Sequence, residues 1–198
     1  MPKRTWISKE EERDPGFKVA QDRFTLLFCA NTSGAFRCKT MLVYRSENPR
    51  ALKGNNKEHL PFYWKSNKTA WVTAVNFEEW FTKSFVPEVK VFLTKKNLAF
   101  KELLTLENCR SHAVTLQDYD PNVEILFFPP NTTSLIQPMD QTVIATFKSY
   151  YLRRVMAKML KTVDIYRTDD ELYPITVVKS FWKKFTMEFG EKFYLKMF

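Results

Sequence analysis

Glu107 and Asp140 are the two carboxylates whose setting points to chemistry. Glu107 closes the apolar run "LLTLE" (103–107), and Asp140 stands in "FPPNTTSLIQPMDQTVIATFKSYYLRR" (128–154), where a proline-rich polar loop passes into a segment of helical period. Open α/β sheets bind ligands beyond the carboxyl ends of their strands, so an acid just past a strand is well placed for such a site. Clustered carboxylates suit Mg²⁺, which takes oxygen ligands and keeps waters for phosphate oxygens. A pair of such ions can activate a water and stabilise the leaving oxygen in phosphodiester cleavage. Asp140 also has a plainer reading, because an anion in the first turn of a helix is favoured by the helix dipole.

Other residues could do chemistry, and each has a structural alternative. Cys109 and His112 form a C-x-x-H pair that could join Cys29 and Cys38 in a zinc site. Cys29 and Cys38 equally fit strand interiors as small hydrophobes, and that reading is preferred. His112 is read as a residue at the rim of the site. Trp64, Trp71, Trp80 and Trp182 could stack on bases, although aromatic residues at helical spacing more often fill cores. Lys148, Arg153, Arg154, Lys158 and Lys161 could follow a phosphate backbone or form a solvated helix face. Asn131, Thr132 and Thr133 are expected to shape the loop before Asp140 through bonds from side chain to backbone.

The elements that must position these groups follow from periodicity. "RFTLLFCA" (23–30) and "RCKTMLVYR" (37–45), joined by "NTSGAF", predict an antiparallel hairpin. Residues 46–56 read as loop, and "LPFYWKSNKTAWVT" (60–73) as irregular and aromatic. From Thr73, a plausible N-cap, Phe77, Trp80, Phe81, Phe85, Val89, Phe92 and Leu93 recur at spacings of three and four, so the segment predicts a helix that Pro87 should kink or split. "LLTLEN" (103–108) and "VEILFFP" (123–129) have the pattern of buried parallel strands, with room for a short helix between them. Helical period returns at Asp140 with Val143, Ile144, Phe147, Tyr151 and Val155, and a last helix is expected beyond the acidic break "TDDELYP" (168–174). A hairpin followed by alternating helices and strands implies an α/β fold, a mixed sheet flanked by helices.

Composition limits the partners. The 198 residues are 44% hydrophobic, enough for one globular domain with a real core, and carry a formal net charge of +9, which favours an acidic partner, most simply nucleic acid. Lys and Arg outnumber Asp and Glu most densely beyond residue 140. Three scattered cysteines do not make a disulfide framework, the N-terminus lacks the apolar core of a signal peptide, and no apolar run approaches the ~18 residues that span a bilayer. A soluble intracellular protein without a membrane partner is expected, and a DNA partner would place it in the nucleus.

Three stretches carry a family resemblance: "LLTLENCRSH" (103–112), "LFFPPNTTSLIQPMDQTVIATFKSYY" (126–151) and "MLVYRSENPRALKG" (41–54). They resemble the DDE transposase domain of the Tigger/pogo group, which includes domesticated jerky and centromere protein B relatives. The resemblance runs from about residue 2 to about residue 185, and the "PPNTTSLIQPMDQ" block is its most specific part. It implies an RNase H-like fold and a three-acid, Mg²⁺-dependent strand-cutting site. Asp140 stands where the family's "QPxDQ" acid stands. Glu107 occupies the second acid's place in a motif of the form "LLLxDNxxSH". The first acid belongs to an "ADET"-like motif on the opening strand, a stretch that would precede Met1.

These departures imply a damaged site. Glu for Asp adds one methylene and moves the carboxylate by ~1.5 Å, which a Mg²⁺ site with ~2.0–2.1 Å octahedral contacts tolerates poorly. Asp14 or Asp22 could replace the first acid only from stretches that lack a strand pattern. The expectation is therefore a DDE domain over residues 1–162, without its first strand, and a C-terminal helical extension over 163–198. Glu107 and Asp140 would be remnant ligands holding Mg²⁺ weakly, and Lys148, Arg153, Arg154 and Lys158 would contact DNA with little sequence preference. The helix-turn-helix domains that family members carry upstream are not in these residues, so sequence-specific recognition is not expected. Alternatives are an active endonuclease whose first Asp is supplied upstream, and a protein-interaction module or a fragment with no settled function.

Overall fold

The computed structural model describes residues 23–49, 52–54, 56–109 and 119–166. The first elements are the predicted hairpin: β1 (Phe24–Leu27) pairs antiparallel with β2 (Met41–Tyr44), Phe24 opposite Tyr44 and Leu27 opposite Met41. Every residue of β2 is buried, and its alternation divides the interior. Met41 and Val43 point to a core shared with the helices, whereas Leu42 and Tyr44 meet Leu52, Leu60 and Phe62 from the connection that follows. Burying side chains of this kind contributes about 1.5–3 kcal/mol each.

The stretch read as irregular contains a strand. β3 (Tyr63–Ser66) lies parallel to β2, Met41 opposite Tyr63 and Tyr44 opposite Ser66. The Tyr63 N–H donates to the Thr40 carbonyl at 2.8 Å, and the Asn67 N–H to the Tyr44 carbonyl at 2.9 Å. Four half-buried residues with a central lysine give little hydrophobic alternation, so backbone pairing with a fully buried neighbour decides what local pattern could not.

Thr73 caps the next helix as expected, its hydroxyl accepting from the Asn76 N–H at 3.3 Å. Helix α1 (Ala74–Trp80) passes through a π-helical segment (Phe81–Phe85) into α2 (Val86–Lys95). The π segment is how the chain accommodates Pro87, which has no N–H to give and whose ring crowds the preceding turn. Local widening replaces a break, so Phe77, Trp80, Phe81, Phe85, Val86, Val89 and Leu93 all remain in one core. The helix ends where Asn97 takes the left-handed conformation (φ 55°) and the Leu98 N–H donates back to the Leu93 carbonyl at 2.9 Å, a Schellman-type stop.

Strands β4 (Glu102–Leu106) and β5 (Val123–Phe127) pair in parallel with Leu106 opposite Phe127. Leu104, Leu106, Val123 and Ile125 join the helical core, while Leu103 and Leu126 on the other face are about half exposed. The expectation that these strands are buried on both faces is thus met on one face only among the described residues. The sheet is also divided: β1–β2–β3 and β4–β5 are separate, both packed on the core built around α1 and α2. After β5 come α3 (Thr133–Ile136), a second π-helical segment (Met139–Val143) and α4 (Ile144–Tyr166). The short helix proposed between β4 and β5 and the helix beyond residue 167 lie outside the described residues. No helix among the described residues is long and apolar enough to cross a membrane.

Candidate functional site

Glu107 follows β4 directly, at the carboxyl edge of the parallel pair, and is half-buried. The ladder runs on to this point, because the Phe128 N–H donates to the Leu106 carbonyl at 2.8 Å. From the same edge of β5 the chain enters the loop leading to Asp140, which is held by its own polar groups. Asn131 adopts a left-handed conformation (φ 63°), and the Thr132 hydroxyl donates to the Pro129 carbonyl at 2.6 Å. Gln141, which sequence reasoning misses, donates through Nε2 to the Leu135 carbonyl. Only the local turn could have signalled it, since a glutamine within reach of its own loop has no distinctive spacing.

Asp140 is exposed and sits in the first turn of the π segment, whose N-cap position is Pro138. No side chain caps this terminus. Asp140 therefore gains from the dipole alone, and the capping role considered from the sequence is not made as a hydrogen bond. The parallel pairing of β4 and β5 is as expected, and Glu107 and Asp140 stand on the segments that follow the carboxyl ends of these two strands.

A complete cation site needs more donors. Among the described residues no group of three or more His, Cys, Asp or Glu side chains converges in a way that could hold a metal ion. Mg²⁺ demands near-octahedral oxygen coordination, so the described residues do not fit a three-acid centre. The same observation leaves the C-x-x-H zinc alternative without support among the described residues, and His112 and Trp182 lie outside them. Cys38, Trp80 and the strand-facing aromatics belong to the core, whereas Trp71 is 60% exposed.

Helix α4 supplies the cations. Its inner side is aromatic: Phe147 meets Phe28 edge-on with centroids 5.1 Å apart, and Tyr151 meets Phe24 at 5.9 Å. Burial pushes the Tyr151 phenol above its ordinary range, so this ring stays neutral. Val155 is fully buried behind it. Lys148, Arg153, Arg154, Lys158 and Lys161 are all exposed. They do not form one stripe. Arg154, Lys158 and Lys161 follow at spacings of four and three and share a side, while Lys148 and Arg153 project elsewhere, the Arg153 guanidinium 5.9 Å from the centroid of Tyr150.

The family model described as DDE superfamily endonuclease matches residues 21–195. The chain belongs to that family. Within it, the chain is 33% identical to human Tigger transposable element-derived protein 7 over 177 residues, 86% of this chain and 32% of that protein. It is 34% identical to the mouse Jerky protein, over 72% of this chain and 26% of that one, and 28% identical to CENP-B homolog protein 2 of Schizosaccharomyces pombe, over 79% and 30%. It is a Tigger/pogo-type, transposase-derived DDE protein, and it spans about a third or less of the length of these relatives. No solved structure matches it significantly.

Proposed function

We propose that this chain is a domesticated DDE domain that binds DNA with little sequence preference and does not cut or join strands. The observation that carries the reading is the contrast between its two functional features. The carboxylates at the rim do not assemble three donors among the described residues, and the family's second acid is replaced by Glu107 with its longer arm. The cations of α4, by contrast, are exposed on a helix anchored through aromatic contacts to Phe24 of β1 and to Phe28 just beyond it. Phosphate neutralisation needs exposed charge more than exact donor geometry, so it survives a change that a metal centre does not.

In this reading Lys148, Arg153, Arg154 and Lys158 hold the phosphate backbone, and Glu107 and Asp140 are remnants that bind Mg²⁺ weakly. Residues 1–162 form the DDE domain and 163–198 its helical extension, and the protein acts in the nucleus. DNA binding measured by fluorescence anisotropy should weaken steeply between low and physiological salt, with similar affinity for unrelated duplexes. Supercoiled plasmid incubated with the chain and Mg²⁺ should stay intact. Nicking that disappears in Asp140→Ala would overturn the inactive assignment.

One observation favours a second reading, an endonuclease completed by an acid supplied from a longer gene product. Glu107 follows the carboxyl end of β4, and the chain runs on to Asp140 from the carboxyl end of its parallel neighbour β5, the edge where such a site would be built. An upstream-extended protein that nicks plasmid in Mg²⁺ and loses this activity in both Glu107→Gln and Asp140→Asn would establish it.

A further inference from the structure

We propose that Cys29 and Cys38 form a thiol–disulfide couple, a redox-modifiable pair closed by exchange with a low-molecular-weight disulfide such as glutathione disulfide. The hairpin brings them together. Beyond β1 and β2 the pairing resumes at Ala30 and Arg37, and the Cys38 N–H donates to the Cys29 carbonyl at 2.9 Å. Between this bridge and the Leu27–Met41 pair, Phe28 and Cys29 face Cys38, Lys39 and Thr40, so one strand carries an extra residue, a bulge. The Cys38 thiol is hydrogen-bonded to the Cys29 sulfur, so the two side chains already face each other as a disulfide requires. Both cysteines carry free thiols and line one cleft of about 370 Å³ with Glu88, Met139 and Val143.

The surroundings assign the two thiols different tasks. Cys38 is 3% exposed, and its pKa is raised, first by a hydrogen bond to the Cys29 sulfur and then by burial and by Glu88. Cys29 is only half-buried, so it meets the oxidant first. The Glu88 carboxylate is held in place, one oxygen accepting the Lys39 N–H at 2.8 Å and the other the Ser84 hydroxyl at 2.5 Å. The Cys29 sulfur attacks the glutathione disulfide, whose S–S bond breaks, and one glutathione thiolate leaves with the Cys29 proton. Cys38 then attacks the Cys29 sulfur, and its proton passes to the second glutathione, which leaves as the thiol. Two protein thiols are oxidised and one glutathione disulfide is reduced to two thiols, each thiol carrying one of the two protein protons. In a reducing compartment such a bond is transient, which is the usual character of intracellular disulfides. Met139 and Val143 flank Asp140 on one helical turn, so the couple lies beneath the helix that carries that acid.

The test uses the full chain, reduced, exposed to graded glutathione disulfide, alkylated and digested with trypsin. Cleavage after Arg23, Arg37 and Lys39 leaves the cysteines on separate peptides. We expect peptide 24–37 linked to the Cys38–Lys39 dipeptide, two hydrogens lighter than the pair, reversed by dithiothreitol, abolished in Cys29→Ser and retained in Cys109→Ser. A Cys29 that remains unmodified or stops at the adduct in the unmutated chain, or that links only to Cys109 or to another copy, overturns the couple.

Discussion

The continuous helix from Ala74 to Lys95 and the helix α4 are similar in length but differ in what they bury. The first sinks Phe77, Trp80 and Phe81 to 1% exposure or less and touches both sheets through one core. The second fully buries Val155, rests through Tyr151 on β1 and through Phe147 on Phe28 just beyond it, and leaves Leu152 and Leu160 at 44% and 58% exposure. One helix is scaffold and the other is surface. On the proposed reading, stability and DNA binding are carried by different residues, and a substitution that damages one should leave the other largely intact.

The largest expected effect tests the scaffold. Trp80→Ala empties a fully enclosed site and removes the indole N–H bond to the Lys39 carbonyl at 3.3 Å. It should cost about 3–5 kcal/mol of unfolding free energy in urea titration, whereas Leu160→Ala should stay within about 0.5 kcal/mol. Comparable losses at the two positions would break the distinction. Glu88→Ala should cost less, about 1–3 kcal/mol, because it strips acceptors from the partly buried Lys39 N–H and Ser84 hydroxyl.

The same comparison can be sharpened from the binding side. Replacing Arg154, Lys158 and Lys161 together with Gln should lower the dependence of log affinity on log salt by roughly 0.9 for each phosphate that is no longer neutralised, with the urea midpoint unchanged. The pair Lys148→Gln and Arg153→Gln, on other sides of the helix, should lower it less. Equal changes from the two sets would mean that no one side of α4 leads the contact.

Why was the scaffold legible in the sequence and the site only partly so? The α1–α2 face is a run of aromatic and aliphatic residues at helical period, with Thr73 as its cap, and burial follows that period directly. β4 and β5 declared themselves as short apolar runs, and their parallel pairing set the edge at which Glu107 lies. β3 was hidden because its stability comes from the backbone of β2, a partner remote in sequence. The half-exposed outer faces of β4 and β5 were hidden for a similar reason: an apolar side chain records what it could bury, not whether a neighbour covers it. Glu88 gave no signal at all. Its partners Lys39 and Cys38 are about 50 positions away, and only the bulge brings a spare N–H and a thiol to its carboxylate.

The smallest effect concerns the outer edge of the scaffold. Glu79 on α1 pairs with Lys65 of β3 at 2.5 Å and with Lys83 one turn on at 2.9 Å, and hydrogen bonds from these two ammonium groups hold its carboxyl below the ordinary carboxylate range. A depressed carboxylate pKa contributes stability that is fully present above the unfolded-state value. As acid is added, that contribution begins to fall near the ordinary carboxylate range and is gone once the pH has passed below the folded-state value. From neutral pH down to about pH 5 this group should leave the melting temperature unchanged, and below that it should lower it. Glu79→Gln should flatten that acid limb while altering the neutral melting temperature only slightly, because partly exposed pairs contribute at most about 1 kcal/mol. An acid limb as steep in Glu79→Gln as in the parent chain would assign the acid sensitivity to other carboxylates, and with it the view that the β3–α1 contact is held by charge as well as by packing would fall.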